Sequence, residues 1–308
     1  MNTIIENVPL EKLSVEQIRA IRQILYYQLF KHPLRIDEID NGSVVRKGLD
    51  DLVSQGILNK MDNHFSIEAS DKNLIKRLAG SKMYDEMMPR AIKRAKFIYQ
   101  FPFVEGVYIS GSMSKGFIAE DGDVDFFIVT KPGRLWLCRT LLILFKKVFL
   151  ANNRKLFCLN YFVDSDHMEI EEKNIFTATE LITLMPICDS GINKEFNNKN
   201  NWVKNFYPET PFRPSLLGKL KKNLLSKFLE LILKTPVGKW LDKMTMNLTL
   251  KVWDDKFGDF KPKDFDLALK SRSYVSKHHP QNFQKKVLTE FEVKVNDFEK
   301  KHGIDLSL

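Results

Sequence analysis

The sequence predicts an α+β protein: a small mixed sheet flanked by helices, with a helix-rich module before it and a helical region after it. Three observations predict this. Apolar residues recur at helical spacing over residues 14–53 and again from residue 215 onward. Between them, the apolar runs 107–109, 126–129 and 156–162 have the length and content of buried strands, and a helix-length apolar segment at 135–150 separates the second from the third. The chain has 308 residues, 44% hydrophobic and 28% charged, which suits more than one core. With only 14 Gly and 12 Pro, disordered, collagenous and low-complexity classes are excluded.

The opening MNTIIENVPLEKLS has no apolar signal region, and the most hydrophobic stretch, 135–150, is interrupted by Arg139, Lys146 and Lys147. A cytoplasmic protein that spans no membrane is expected. Cys138, Cys158 and Cys188 are odd in number, lack metal-ligand spacing and sit among apolar residues, which predicts reduced thiols with neither zinc nor a disulfide. The formal net charge of +9 is concentrated late: residues 211–308 hold 20 lysines and arginines against 12 aspartates and glutamates. A basic C-terminal third attracts polyanions such as nucleic acid, although lysine-rich helices also serve plain solubility.

Residues 14–30 open with Ser14 three places before Gln17, a capping-box spacing, and put Ile18, Ile21, Leu25 and Leu29 on one helical face. Pro33 ends that helix. A short helix at 36–39 and a third carrying Val44, Leu49, Leu52 and Val53 follow, the last stopping near Gly56. The segment ILNKMDNHFSI then pairs two strand-like runs around Asp62 and Asn63. Three helices followed by a hairpin resembles a winged helix over residues 10–68. The resemblance implies that Arg46 and Lys47 on the third helix could touch DNA phosphates; Asp50 and Asp51 on the same helix, and Asp62 at the wing tip, oppose it.

Residues 70–100 read as one or two connecting helices, and the composition changes at Phe101. From Val104 the chain runs VEGVYISGSMSKGFIAEDGDVDFFIVTKPG. A buried strand at 107–109 ends at Gly111 and Ser112, and the turn there predicts a helix start through Met113 to Gly116. A helix start presents free N–H groups to a phosphate, Gly111 admits close backbone approach, and Ser112 adds a hydroxyl. Asp123 and Asp125 precede an apolar strand and, at period two, face one side while Val124, Phe126 and Ile128 face the other. Two adjacent carboxylates repel unless neutralised, and a hard divalent cation with oxygen ligands is the usual partner.

Gly111, Ser112, Gly116, Asp123 and Asp125, set between apolar strands, resemble the signature of the DNA polymerase beta superfamily of nucleotidyltransferases over residues 101–170. The resemblance implies transfer of a nucleotidyl group from a nucleoside triphosphate such as ATP to an acceptor hydroxyl. It also implies that Asp123 and Asp125 are catalytic residues holding Mg²⁺, and that Gly111, Ser112 and Lys115 bind the nucleotide. Arg139 is a weaker candidate for phosphate contact. The family's third carboxylate lies on a later strand. In KLFCLNYFVDSDHMEI, Leu156, Cys158, Asn160 and Phe162 share a face, and the residue at the expected place is Asn160, a neutral ligand. Asp164 shares that face about 13 Å further along.

Thr177 and Glu180 have capping-box spacing, and from residue 215 apolar residues alternate with lysines in helices read as packing elements, a membrane-surface role being the lesser alternative and no membrane partner being expected. His278 and His279 read as structural. The division expected is a winged-helix-like domain at 1–70, connecting helices at 71–100, a nucleotidyltransferase core at 101–190 and a helical region at 191–308. Two functions stand: a Mg²⁺-dependent nucleotidyltransferase acting on an unknown acceptor, or a non-catalytic regulatory protein that binds nucleic acid or a partner on a degenerate version of that fold. The Asp pair favours the first, and Asn160 the second.

Overall fold

The structure, a computed structural model, describes residues 13–40, 42–153, 155–257, 266, 268–278 and 283–308. Residues 1–12, which make up most of the opening segment read above for a leader and begin the winged-helix stretch, and His279 lie outside the described residues. The chain forms two compact units. One comprises Met1–Arg77, Pro208–Thr210 and Val287–Leu308; the other comprises Leu78–Tyr207 and Pro211–Lys286.

In the first unit, α1 (Val15–Gln28) starts with the expected box: Ser14 accepts from the Gln17 N–H and Gln17 reaches back to the Ser14 N–H. After β1 (Leu34–Arg35) the second expected helix is only a 3-10 turn, Ile36–Glu38. It is held by buried Gln23, whose amide donates to the Glu38 carbonyl and accepts from the Asp40 N–H, both at 2.8 Å. Helix α2 (Gly42–Ser54) follows, then strands β2 (Asn59–Met61) and β3 (His64–Ser66). The hairpin turns at Asp62 and Asn63, both with positive φ (44° and 61°), the twist that a two-residue loop requires. The three strands form an antiparallel sheet in the order β1-β3-β2. Arg46 and Lys47 are exposed on α2.

Residues 70–100 form one helix, α3 (Asp71–Tyr99). In the second unit follow β4 (Val104–Ser110), β5 (Asp125–Thr130), α4 (Leu135–Phe149), β6 (Cys158–Asp164), α5 (Ile175–Thr183), β7 (Met185–Asp189), α6 (Asn193–Lys199), α7 (Leu224–Leu233), α8 (Pro236–Phe257), β8 (Ser271–Arg272) and β9 (Val275–Lys277). The last helix, α9 (Phe283–His302), runs from this unit into the residues of the first. The sheet order is β7-β4-β5-β6-β9-β8, with β5 and β6 parallel and the other neighbours antiparallel. Residues of α3 and α4 pack with Val107, Ile109, Phe126, Ile128 and Phe162 on one face; residues of α5 pack with Tyr108, Phe127, Val129 and Val163 on the other. The site is therefore set by which face each strand residue takes.

Strand β6 departs from strict alternation. Asp125 pairs with Cys158 and Phe126 with Leu159, but Phe127 pairs with Tyr161, so a bulge sits at Asn160. The extra residue puts Phe162 in the α3/α4 core while Asn160 turns toward Asp125. The expected common face of Cys158, Asn160, Phe162 and Asp164 is thus broken. Arg139 also departs from expectation: it is buried on α4, 5.6 Å from the ring centre of Trp136 and 5.0 Å from that of Trp253, and burial pushes its guanidinium down to about 10. It serves the α4–α8 packing. His278 stacks on Trp253 at 5.0 Å. Cys138 and Cys188 are buried and Cys158 half-buried, all three as free thiols.

Candidate active site

Strand β4 stops at Ser110, and Gly111 takes a left-handed φ of 66°. The expected helix start is a single 3-10 turn, Met113–Lys115, closed by Gly116 at φ 68°. So short an element has little macrodipole, and any hold on phosphate falls to local N–H groups and side chains. The turn is strapped down. Ser114 Oγ donates to the Gly111 carbonyl at 2.8 Å, Arg213 donates to the Ser114 carbonyl at 2.9 Å, and Lys115 Nζ reaches the Gly111 carbonyl at 3.0 Å. Ser112 is exposed, and its hydroxyl makes no capping bond.

Asp125 opens β5 opposite Ser110 on one side and Cys158 on the other, so its carboxyl emerges beside the Gly111 turn. Val124, fully buried, anchors the approach by bonding across to Lys155 and Cys158. Asp123 precedes the strand, half-buried, near enough to act on Asp125 electrostatically. Asn160 Nδ2 donates to Asp125 Oδ1 at 2.5 Å, and the Cys158 thiol donates to Asn160 Oδ1 at 3.2 Å, which fixes the amide with its NH₂ toward the carboxylate. Burial pushes the Asp125 carboxyl up to about 6. The adjacent Cys158 thiol opposes this, Glu180 and Asp123 add to it, and Lys115 opposes it. The Cys158 thiol is itself pushed up to about 12, by burial first and the Asp125 charge second. It is a neutral donor here.

The strand bulge settles which β6 residue stands across from the pair: it is Asn160. Asp164 pairs with Thr130 at the other end of β5 and is occupied locally, accepting from the Asp166 and His167 N–H groups and from His167 Nδ1 at 2.7 Å. Sequence reasoning missed Glu180. The cap of α5 is Asn174, which accepts from the Thr177 N–H, and the expected Thr177–Glu180 box is not formed. Glu180 instead sits near the end of α5 and pairs with Lys115 Nζ at 2.9 Å. A signal existed: Glu180 is the sole charged residue between positions 175 and 188, on an otherwise uncharged helix.

The side chains thus brought together are Ser112, Lys115, Asp123, Asp125, Asn160 and Glu180, whereas Arg139 and Asp164 lie elsewhere. Among the described residues, no three His, Cys, Asp or Glu side chains are placed to hold a metal ion by themselves. The donor set still suits a hard cation: all its charged donors are carboxylate oxygens, and Asp125 is raised by burial and by two acidic neighbours, a repulsion that a cation would relieve.

Residues 88–187 match the family model of the nucleotidyltransferase domain. That stretch begins in α3, ends in β7 and contains every residue of the site. No curated protein and no solved structure matches the chain. The match supports a nucleotidyltransferase family and nucleotidyl transfer as the general chemistry of this domain.

Proposed function

We propose that the second unit transfers a nucleotidyl group from a nucleoside triphosphate to an acceptor hydroxyl, with Asp123 and Asp125 holding a divalent cation such as Mg²⁺. The carrying observation is the raised carboxyl of Asp125 beside the Gly111–Ser112 turn, with Asp123 and Glu180 acting on it. When bound, the cation would neutralise phosphate charge and lower the barrier to attack at phosphorus. The remaining work belongs to the chain. Ser112 offers its exposed hydroxyl to a phosphate oxygen. Lys115 is held between the Gly111 carbonyl and Glu180, so it supplies positive charge at a fixed place beside the turn. The rigid turn keeps the phosphate chain in line with the Asp pair, which is the main demand of phosphoryl-type transfer. Asn160 orients Asp125 through its amide.

The second reading, a binding protein without catalysis, rests on the same Asn160, because it contributes no charge where a third carboxylate is usual in the family. In the reading proposed here Glu180 supplies the third negative charge from α5. The N-terminal elements, read as a winged helix, and the basic C-terminal third are given no nucleic-acid role in it.

Asn160→Asp distinguishes the two readings. In the transferase, the new carboxylate faces Asp125 directly, so the metal-free protein is destabilised by about 1–2 kcal/mol and Mg²⁺ raises its melting temperature more than it raises the parent's. Equal Mg²⁺ shifts in both proteins would favour the non-catalytic reading.

A further inference from the structure

Helices α7 and α8, joined at Thr235, turn several polar groups toward the body of the unit, beside the inward Met246, Leu250 and Trp253 of α8. Glu230 accepts from the Phe103 N–H and from Lys131 Nζ, both at 2.8 Å. Asp242 accepts from the Leu137 N–H at 2.8 Å, satisfying the start of α4. Arg134 donates to the carbonyls of Leu233 and Lys234 at 3.0 and 2.9 Å, satisfying the end of α7. These bonds fix which way the hairpin faces.

The outward side is apolar. Leu224, Phe228 and Leu231 of α7 are 83%, 59% and 71% exposed, and α8 continues with Val237, Trp240 and Leu248 at 57–63%. Side chains exposed to this degree stand proud of the surface; they do not line a groove for a partner helix. Soluble chains rarely leave so continuous an apolar face uncovered. Its charge is predominantly positive. Between residues 224 and 257 the exposed charged residues are Lys227, Lys234, Lys239, Lys243, Lys251 and Lys256, with Asp254 and Asp255 at the far end of α8, while Glu230 and Asp242 face inward.

We propose that the α7–α8 hairpin is a membrane-surface site that lies in the plane of an anionic phospholipid bilayer. Leu224, Phe228, Leu231, Trp240 and Leu248 enter the acyl boundary, and the flanking lysines reach the lipid phosphates with their alkyl stems along the apolar surface. An apolar ridge edged chiefly by lysine, with a tryptophan among its exposed residues and its two exposed acids only at the far end of α8, matches that interface in both polarity and charge. An acidic protein would satisfy the lysines but leave protruding apolar side chains without a pocket. The contact is peripheral: among the described residues no helix is long and apolar enough to cross a membrane. The proposal takes up, for this surface, the lesser alternative of the sequence reading in place of its expectation of no membrane partner.

The test is flotation of the full chain with phosphatidylcholine vesicles, with and without phosphatidylglycerol. Binding is expected only to the anionic vesicles and should fall with salt. Phe228→Asp and Trp240→Asp should each abolish it, and the double change Lys239→Glu, Lys243→Glu should lower partitioning at least about ten-fold. Far-UV circular dichroism should be unchanged in all of them. Equal binding to neutral and anionic vesicles, or no binding to either, would overturn the proposal. So would light scattering that shows a dimer of the parent split into monomers by Phe228→Asp, since a second copy would then be the occupant.

Discussion

Asp125→Asn is expected to lower nucleotidyl transfer by about 100-fold or more and to remove the dependence of triphosphate binding on divalent metal, while leaving the fold intact. The substitution is nearly isosteric and keeps an oxygen for the Asn160 amide. Its effect on the metal-free protein has a sign that runs against ordinary intuition for a functional residue. The Asp125 carboxyl is raised by burial from 3.8 to about 6. A group raised in the folded state contributes stability fully below its unfolded value and loses that contribution as pH climbs through the folded one. Near pH 7 the ionised, metal-free Asp125 therefore costs of the order of 2–3 kcal/mol. The parent should lose stability between about pH 4 and pH 7 from this source, and Asp125→Asn should flatten that window and melt higher at pH 7. Metal affinity of the parent should also fall about ten-fold per pH unit below 6, because proton and cation compete for one carboxylate. Urea titrations across pH, with and without Mg²⁺, read all of this.

Gly111→Ala should produce the next largest loss, of stability and of transfer together. At φ 66° an alanine pays the left-handed penalty, and its Cβ would fall against Asp125 Oδ2. Neither can be relieved cheaply, since the turn is strapped and Asp125 is held by Asn160. We expect about 2–4 kcal/mol of destabilisation and displacement of the carboxylate from the site. Gly116→Ala separates the two causes: φ is 68° there, but nothing lies within 4 Å of the added Cβ. That variant should lose only about 1 kcal/mol and keep its activity. Denaturation midpoints and transfer rates measured on both glycine variants check this, and similar losses in the two would mean that the approach to Asp125 does not matter.

Much of this arrangement was legible in the chain, and the exceptions share a cause. Local signals held where one segment determines the outcome. The Ser14 box, the Asp62–Asn63 turn, the strand behind Asp125 and the break at Gly111 all follow from spacing and residue type. Asp125 opens a strand as the following apolar run predicts, whereas Asp123, expected on the same strand face, lies just before it. Glu180 was misread as part of a cap because its partner, Lys115, lies 65 residues earlier, and pairing across two elements leaves no local mark. Arg139 looked free because nothing near it in sequence shows that Trp253, on α8, will cover it. The bulge at Asn160 is the instructive case. The family resemblance pointed to Asn160, whose amide meets Asp125, but period two gave it the wrong companions, since one extra residue in a strand reverses the face of everything beyond it.

The central claim is that a nucleoside triphosphate and a divalent cation meet at the Asp pair. Thermal shifts of the parent with each ribonucleoside triphosphate, with and without Mg²⁺, test it most directly. The account predicts that at least one triphosphate raises the melting temperature, that the rise requires the metal, and that Asp125→Asn removes the metal requirement or the binding itself. A triphosphate shift of equal size with and without Mg²⁺, unchanged in Asp125→Asn, would contradict it.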